Sequence, residues 1–288
     1  MNANLPALEQ HHVGDYDQLL ELFIRLIDSR AGTNIEPGDE WLNDAQTLAV
    51  KLFRHLMSMK ILACVGTIKQ DNFPPSFFID HSSVKVVTRA ALESYLVYFY
   101  LYGSGDLEMS KFRHKTWHLA GLSDRQRHHA STDESRHKLS SEKLEINNLR
   151  LEIQASPQIS GYTHKQQIQL LDGNWRVGTS WIMLGTQAGF HTTYFENVYS
   201  YLCGYSHSSY ISALQVGQAQ TLEDQNMLAQ SCTGIGLIIM AHFVTNYASS
   251  VNAASVVLAS NADTQLLIKK WRITAAELDP IYSAQDKI

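Results

Sequence analysis

The chain has 288 residues, of which 44% are hydrophobic and 18% are charged, and its formal net charge is −5. This composition supplies a substantial core and excludes an intrinsically disordered chain, while the acidic balance disfavours a dedicated nucleic-acid-binding protein. Three cysteines (Cys64, Cys203 and Cys232) lie far apart and form no Cys-x-x-Cys pair, so we predict neither a disulfide framework nor a zinc site. A reducing cytoplasm is the simplest compartment for such a chain.

Two stretches bear on whether the protein enters a membrane. Residues 1–12 have no basic region followed by an apolar run, so no signal peptide is predicted. The longest apolar run, residues 235–240, is too short to span a bilayer, and His242 follows soon after it. We therefore expect a soluble protein with no membrane partner.

Apolar residues recur with helical spacing through most of the chain, and no alternating run predicts a strand. The predicted helices cover residues 15–30, 39–68, 80–103, 106–122, 131–155, 165–171, 181–189, 194–203, 208–218, 222–250 and 262–271. Residues 70–76, with Pro74 and Pro75, are predicted to be a linker, and residues 251–257 favour helix. The predicted fold is all-α, a multi-helix bundle that forms a single domain over residues 1–288.

Residues 106–156 differ from the rest because charged and polar side chains dominate them. Their few apolar residues keep roughly heptad spacing, which predicts a protruding helical hairpin that packs on one side only. Residues 111–138 contain seven Lys and Arg against three Asp and Glu, a net +4. Such a band is either a solvated face or a surface for an anionic partner, either RNA or a protein. Its candidate RNA-binding residues are Arg113, His118, Arg125 and Arg127.

The rest of the chain is organised around the predicted helix at residues 80–103, which is apolar or aromatic on nearly all sides. It nevertheless carries Lys85, Arg89 and Glu93, which stack on one face at i, i+4 and i+8. Charges in a buried helix need partners or line a cavity. Arg89 and Glu93 are either a structural salt bridge or catalytic groups, and Tyr98 is a candidate pocket wall in the same helix.

Two further polar groups are candidates for the same site. Residues 201–210 bring hydroxyls, a thiol and an imidazole into a predicted break between helices, with Ser206 as a ligand-binding candidate and His207 as a proton-transfer candidate. Ser206 has the alternative role of a helix cap. His242 and Asn246 lie one turn apart in an apolar helix and are predicted to form an inward polar cluster with His207. No His or Glu spacing in this region supports a metal site.

Two of these motifs together resemble an uncharacterised bacterial all-helical family known as a domain of unknown function. One motif is Arg-x-x-x-Glu in a buried aromatic helix, here Arg89 and Glu93. The other is a later Tyr, then Leu with Ser or Cys after it, followed by a His with small hydroxyl residues, here Tyr199, Leu202, Cys203, His207, Ser208 and Ser209. The resemblance covers residues 80–250 and implies the helical fold; the family has no settled activity.

A more distant similarity is to the helical nucleases of prokaryotic defence and toxin systems. Their mark is Arg, four to six residues, then His, which Arg113 and His118 match. The similarity implies that an Arg and a His stabilise charge at the scissile phosphate while the ribose 2′-hydroxyl attacks. Here the motif falls in the charged hairpin, where the surrounding helix is weakly defined.

The sequence leaves two hypotheses of different class. The first is a defence-associated binding protein that holds a small anionic ligand or partner through its buried polar cluster. The second is a metal-independent ribonuclease in which Arg89 or Arg113 holds phosphate and His207 or His118 transfers protons. The acidic composition favours the first and the basic hairpin favours the second. Neither requires a cofactor, and a homodimer is left open.

Overall fold

The structure is a computed structural model that describes residues 7–285, with side chains described from residue 14 to residue 283. Helices make up most of these residues, and the one sheet among them is a two-stranded hairpin. The prediction of an all-α fold is therefore confirmed. The chain divides into two compact units, one formed by residues 1–99 with 185–288 and the other by residues 100–184.

The helices are numbered along the chain and connected by short loops. They are α1 (Ala7–Asp28), α2 (Leu42–Leu62), α3 (His81–Tyr102), α4 (Leu107–Arg125), α5 (Asp133–Ala155), α6 (His164–Leu171), α7 (Trp181–Gln187), α8 (Thr192–Ser206), α9 (Tyr210–Gln218), α10 (Leu222–Ser250), α11 (Asn252–Ala259), α12 (Ala262–Trp271) and α13 (Ala275–Gln285). A short 3₁₀ helix, Pro157–Gly161, lies between α5 and α6.

The core of the first unit is aromatic and lies where α3 and α10 meet. Tyr98 of α3 packs against Phe243 of α10 with ring centroids 4.9 Å apart, and Phe23 of α1 stacks on the same phenylalanine at 4.4 Å. Tyr95 and Tyr247 are fully buried beside them. Helices as apolar as α3 and α10 are stable only when other helices surround them, which makes α3 the central helix that the sequence predicts.

Helix α10 is long and apolar enough, by length and composition alone, to cross a membrane. The six-residue run 235–240 understates this property, because an 18-residue window of the helix has a mean hydropathy of 1.6. In the structure 67% of that window is buried inside the protein. The core of the first unit therefore accounts for the apolar character of α10.

Residues 66–78 form an antiparallel hairpin where helix and linker are predicted. Strand β1 (Gly66–Gln70) pairs with β2 (Phe73–Phe78) through a two-residue turn at residues 71 and 72. The register shifts between Ile68 and Gln70, where Pro74 and Pro75 form a bulge in β2. Proline is tolerated at a bulge because the regular hydrogen-bond ladder is already interrupted there. Helix α2 therefore ends at Leu62, six residues before the predicted boundary.

The second unit is built on α4 and α5, which pack together as the predicted hairpin. The hairpin extends from the N-cap of α4, Asp106, whose carboxylate accepts from the Met109 N–H, to the end of α5 at Ala155. Apolar side chains from α4, α5 and α6 form its small core, namely Phe112, Leu119, Leu122, Ile146, Leu149, Ile153 and Leu170. The buried positions of α5 lie on one face, as its heptad-like spacing predicts.

Three further predictions differ from the structure or fall outside it. Helix α8 continues through Gly204 to Ser206, although the sequence predicts a break there. Helix α13 is not predicted, because it has no regular apolar stripe. The expectation of no signal peptide concerns residues 1–12, whose side chains lie outside those that the structure describes.

Candidate functional site

The charged face of α3 lies against α8. Lys85 is fully buried, whereas the side chains of Arg89 and Glu93 are 20% and 28% exposed. The three residues therefore have different environments although they stack at one-turn intervals. Only the Arg89 and Glu93 end of the face is open to solvent.

Arg89 and Glu93 form a salt bridge within α3 and part of a larger cluster. The Nε of Arg89 donates to Oε1 of Glu93 at 2.9 Å, so the local pair forms although Arg-before-Glu is the weaker helical order. Tyr199 of α8 donates its hydroxyl to the same Oε1 at 2.8 Å. We call Arg89, Glu93, Tyr199, Cys203 and His207 the Arg89–His207 cluster.

Tyr199 fixes the orientation of both charged partners. Its hydroxyl holds the Glu93 carboxylate, and its ring lies 5.6 Å from the guanidinium carbon of Arg89, within cation–π range. Burial, followed by the hydrogen bond and charge of Glu93, raises the pKa of Tyr199. The hydroxyl therefore keeps its proton and remains a donor at neutral pH.

His207 closes the cluster on its exposed side. Nη1 of Arg89 lies 3.2 Å from Nε2 of His207. Because a guanidinium can only donate, Nε2 must accept, which places the imidazole proton on Nδ1 and leaves the ring neutral. Burial lowers the pKa of Arg89, but the hydrogen bond and charge of Glu93 outweigh it and the net pKa is raised. The cluster thus contains a guanidinium paired with a carboxylate, and the second arm of that guanidinium is directed to the imidazole.

The turn after α8 places His207. The N–H of Ser209 donates to the carbonyl of Gly204 at 2.8 Å, and the N–H of Ser208 donates to that of Tyr205, the two bonds of a Schellman motif. The motif requires a left-handed residue, and Ser208 supplies it with φ of 51° instead of the usual glycine. A Cβ at Gly204 would lie 2.9 Å from Oγ of Ser209, so a side chain there would displace that hydroxyl.

Cys203 is half-buried on α8, one turn before His207. Within the described part of the chain, no hydrogen bond joins its thiol to His207, so the geometry does not assign it the role of an activated nucleophile. The described residues also contain no group of three His, Cys, Asp or Glu side chains arranged to hold a metal ion. The chemistry that the cluster offers is therefore charge and hydrogen bonding.

Lys85 lies one turn below Arg89 and is a buried cation. Its Nζ donates to the carbonyl of Leu228 at 3.2 Å, lies 3.2 Å from Nδ1 of His81 and sits 4.6 Å from the ring centroid of Tyr205. Burial lowers its pKa, and the nearby thiol of Cys232 opposes that effect. Without solvent access, Lys85 cannot meet a ligand in this conformation.

The other predicted site residues of the first unit lie elsewhere. Tyr98 is 1% exposed in the aromatic core, and Ser206 donates back to the carbonyl of Leu202. His242 donates to the carbonyl of Ile273 at 2.9 Å, and Asn246 donates to the hydroxyl of Tyr95 at 2.7 Å. Among the described contacts, none joins His242 or Asn246 to His207, so the predicted three-residue cluster does not form.

The predicted RNA-binding residues lie in the second unit and are engaged there. Arg113 donates to the carbonyl of Tyr100 at 2.9 Å and lies over the ring of that residue. His118, Arg125 and Arg127 lie within salt-bridge distance of acidic side chains, respectively Glu145 at 3.4 Å, Glu142 at 2.6 Å and Asp124 at 3.0 Å. Residues 100–184 carry 11 Lys and Arg against 9 Asp and Glu, a net +2, so the acidic residues outside the basic band offset about half of its charge.

Tyr199 and Cys203 are the members of the cluster to which residue-level reasoning assigns no role. Both occur in the motif that resembles the domain-of-unknown-function family. Their spacing is a second sequence signal for these two residues, since Tyr199, Cys203 and His207 are each four positions apart. This spacing matches that of residues 85, 89 and 93 and indicates two helical faces that pack together.

No protein-family model matches this chain, and neither the curated proteins nor the solved structures contain a significant match to it. The family resemblances thus stay predictions. The functional argument depends on the geometry of the Arg89–His207 cluster.

Proposed function

We propose that this protein binds a small oxyanion at the Arg89–His207 cluster. The observation that carries the proposal is the position of Arg89, whose Nε is anchored by Glu93 while Nη1 is directed to the exposed His207. A guanidinium is the side chain best suited to bind phosphate or carboxylate oxygens in a fixed geometry. The ligand class is a small anion such as a phosphate group.

The support comes from preorganisation of the guanidinium. Tyr199 holds Glu93, and Glu93 holds Arg89, so an arriving anion meets a side chain with little freedom left to lose. Partial burial strengthens the attraction relative to a fully exposed arginine, because solvent screens the charge less. A purely structural salt bridge between Arg89 and Glu93 would not require the additional contacts with Tyr199 and His207.

His207 gives the site its entrance. It is exposed and accepts a hydrogen bond from Arg89, which an anion replaces by taking the same donor. The expected contribution of His207 to affinity is therefore smaller than that of Arg89.

A ribonuclease is the second candidate function. The observation that favours it is the 3.2 Å separation of Arg89 and His207, which pairs a phosphate-binding group with a proton-transfer group. Against it, the lone pair of His207 at Nε2 is occupied by Arg89, and three of the four predicted RNA-binding residues, His118, Arg125 and Arg127, lie within salt-bridge distance of acidic side chains. A role in bacterial defence rests on the resemblances alone.

The test is isothermal titration of the protein with inorganic phosphate and with adenosine monophosphate, using wild type, Arg89→Gln and His207→Gln. We expect saturable binding to wild type, at least tenfold weaker binding to Arg89→Gln and a smaller loss in His207→Gln. Arg54→Gln is the matched control, because Arg54 is an exposed arginine on α2 and its loss changes the net charge equally. Equal binding by wild type and Arg89→Gln refutes the proposal.

Melting curves and an RNA arm separate the remaining outcomes. Arg89→Gln is expected to stay folded, because a part-exposed salt bridge is worth about 1 kcal/mol or less. If Arg89→Gln melts far below wild type and no anion shifts either melt, the cluster is structural. Cleavage of a single-stranded RNA oligonucleotide without metal, abolished in His207→Gln, supports the ribonuclease instead.

A further inference from the structure

A second concave site lies at the other end of the long α10 helix. The C-terminal part of α10, together with α11, α12 and the start of α13, borders a cavity of about 660 Å³ that is open to solvent. All of its lining residues fall between positions 245 and 277, within the first unit. Cavities of about 300–1,000 Å³ are typical of small-molecule sites, so the volume suffices for a ligand.

The lining has two chemically distinct parts. Ala248, Leu258 and Ile268 supply an apolar wall, and the exposed side chains of Lys269 and Arg272 supply two cations. The arrangement is that of an apolar pocket with charge at one side, which is how amphiphilic ligands are oriented. Nothing in the Arg89–His207 cluster has this apolar wall.

Arg272 interacts electrostatically with Glu277, but within the described part of the chain neither cation is held in a salt bridge. Neighbouring Lys270 forms a salt bridge with Asp15 at 2.6 Å, whereas no ion pair of Lys269 or Arg272 occurs among the described residues. The acidic residue of the lining, Glu277, accepts from the N–H and the hydroxyl of Thr274 at 2.8 and 3.0 Å and so caps α13. The lining therefore keeps a net positive charge that a ligand can neutralise.

We propose that this cavity binds an amphiphilic carboxylate, with its alkyl part against Ala248, Leu258 and Ile268 and its carboxylate at Lys269 and Arg272. The apolar wall selects for a hydrocarbon body, since the removal of methylene groups from water favours binding. The two cations select for an anionic head and against a cationic one. A ligand with only one of these parts binds weakly.

The experiment is isothermal titration of the full chain with decanoate below its micelle concentration. The comparison probes are acetate, which has the head alone, and decyltrimethylammonium, which has the same chain with the opposite charge. Because acetate can also bind as a small oxyanion at the Arg89–His207 cluster, the comparison is made in Arg89→Gln. We expect saturable binding of decanoate to wild type and to Arg89→Gln, and no saturable binding of either comparison probe to Arg89→Gln. Equal binding of decanoate and decyltrimethylammonium overturns the proposal, because it indicates apolar adsorption without a charge preference.

Two double variants locate the site. Lys269→Gln with Arg272→Gln is expected to weaken decanoate binding at least tenfold. The matched control is Lys51→Gln with Arg54→Gln, which removes two exposed cations of the same sequence spacing from α2. If both double variants bind decanoate equally, the proposal is wrong. Arg89→Gln should bind decanoate as wild type does, which keeps this test independent of the oxyanion site.

Discussion

At the scale of single residues, burial decides what each charged side chain of α3 can do. Lys85 and Arg89 are one turn apart on the same face, yet Lys85 is fully buried and Arg89 is 20% exposed. Arg89 has a carboxylate and an imidazole as neighbours, while Lys85 has a carbonyl, an imidazole and a tyrosine ring. We therefore expect Arg89 to serve binding and Lys85 to reduce stability.

Replacing Lys85 tests that expectation. Lys85→Met keeps the length of the side chain and removes a buried charge, so the free energy of unfolding should rise by about 1 kcal/mol or more. Urea denaturation at pH 7.5 measures the change, with Lys51→Met on the surface of α2 as the control. A fall in stability for Lys85→Met, with none for Lys51→Met, shows that the contacts of Nζ outweigh the cost of burying it.

The pH dependence of Lys85 has a defined sign. Its pKa is lowered from 10.5 in the folded state, so the unfolded chain binds more protons in the interval between the two values. Wild-type stability should therefore increase as the pH rises from 8 towards 10, and this gain should be absent in Lys85→Met. The measurement should stop at about pH 10. Above that pH the tyrosines of the unfolded chain lose their protons, while burial raises the pKa of Tyr95 and Tyr98 in the folded state, so stability then falls as the pH rises.

Ser208 provides a second test at residue scale. A left-handed conformation strains any residue with a Cβ, so Ser208→Gly should raise the free energy of unfolding by about 1 kcal/mol. Ser208→Ala is the matched control, because it removes the same hydroxyl but keeps the Cβ. A gain in Ser208→Ala as large as in Ser208→Gly contradicts the role of backbone strain.

At the scale of elements, a close contact between a glycine of α7 and an aromatic ring of α8 determines how near the two helices lie. A Cβ on Gly185 of α7 would lie 2.5 Å from the ring of Phe195 on α8. No side chain other than hydrogen fits that gap without movement of a buried aromatic ring. Gly185 is therefore required for the approach of α7 to the helix that carries Tyr199.

Gly185→Ala should lower the free energy of unfolding by about 1–3 kcal/mol, the usual cost of overpacking a core. Gly234→Ala is the control within α10, where nothing lies within 4 Å of the added Cβ. There the same change should raise stability by about 0.5–1 kcal/mol, because glycine is a poor residue in the middle of a helix. Thermal melts of both variants and wild type measure the difference.

The sequence predicts the elements that have strong periodic patterns. Helices α3 and α10 coincide with prediction to within two residues at either end, since caps and apolar runs mark their ends. The hairpin at residues 66–78 is missed because two prolines indicate a linker, and a bulge that tolerates them leaves no sequence signal. The break expected from Gly204 onwards begins three residues later, because the Schellman turn that ends α8 takes its left-handed residue at Ser208.

Part of the candidate site is also predicted from the sequence, because some of its residues stand out from their surroundings. Arg89, Glu93 and His207 are predicted site residues that lie together in the structure. The sequence reveals them because a charged or imidazole side chain in apolar surroundings needs a polar partner. His242 and Asn246 differ because backbone carbonyls and tyrosine hydroxyls are partners that a sequence does not reveal. Distances between helices decide such partners, and composition does not encode them.

At the scale of the whole molecule, histidines set the response to acid. Burial lowers the pKa of His242, His81 and His55 in the folded state. The unfolded chain then binds more protons below about pH 6.5, so these residues contribute stability above that pH and lose it as the pH falls towards their folded values. Acidification should destabilise the protein before its carboxylates titrate.

The measurement is the melting temperature between pH 7.5 and 5.5. We expect a fall across this interval in wild type and a shallower fall in His242→Gln, which has one buried histidine fewer. His128→Gln is the control, because His128 is exposed in the second unit. If the melting temperature of His242→Gln falls with pH as steeply as that of wild type, His242 does not contribute to the acid sensitivity.

The three thiols also give the protein three built-in reporters of accessibility. Cys64 is exposed, Cys203 is half-buried beside Arg89, and Cys232 is fully buried on α10. A thiol-specific dye should label them in that order, and the slowest phase measures how often the core around α10 opens. The middle phase reports on the proposed oxyanion site, so a bound anion should slow it while the other two phases stay unchanged. The protein can thus be followed in solution without an added label site.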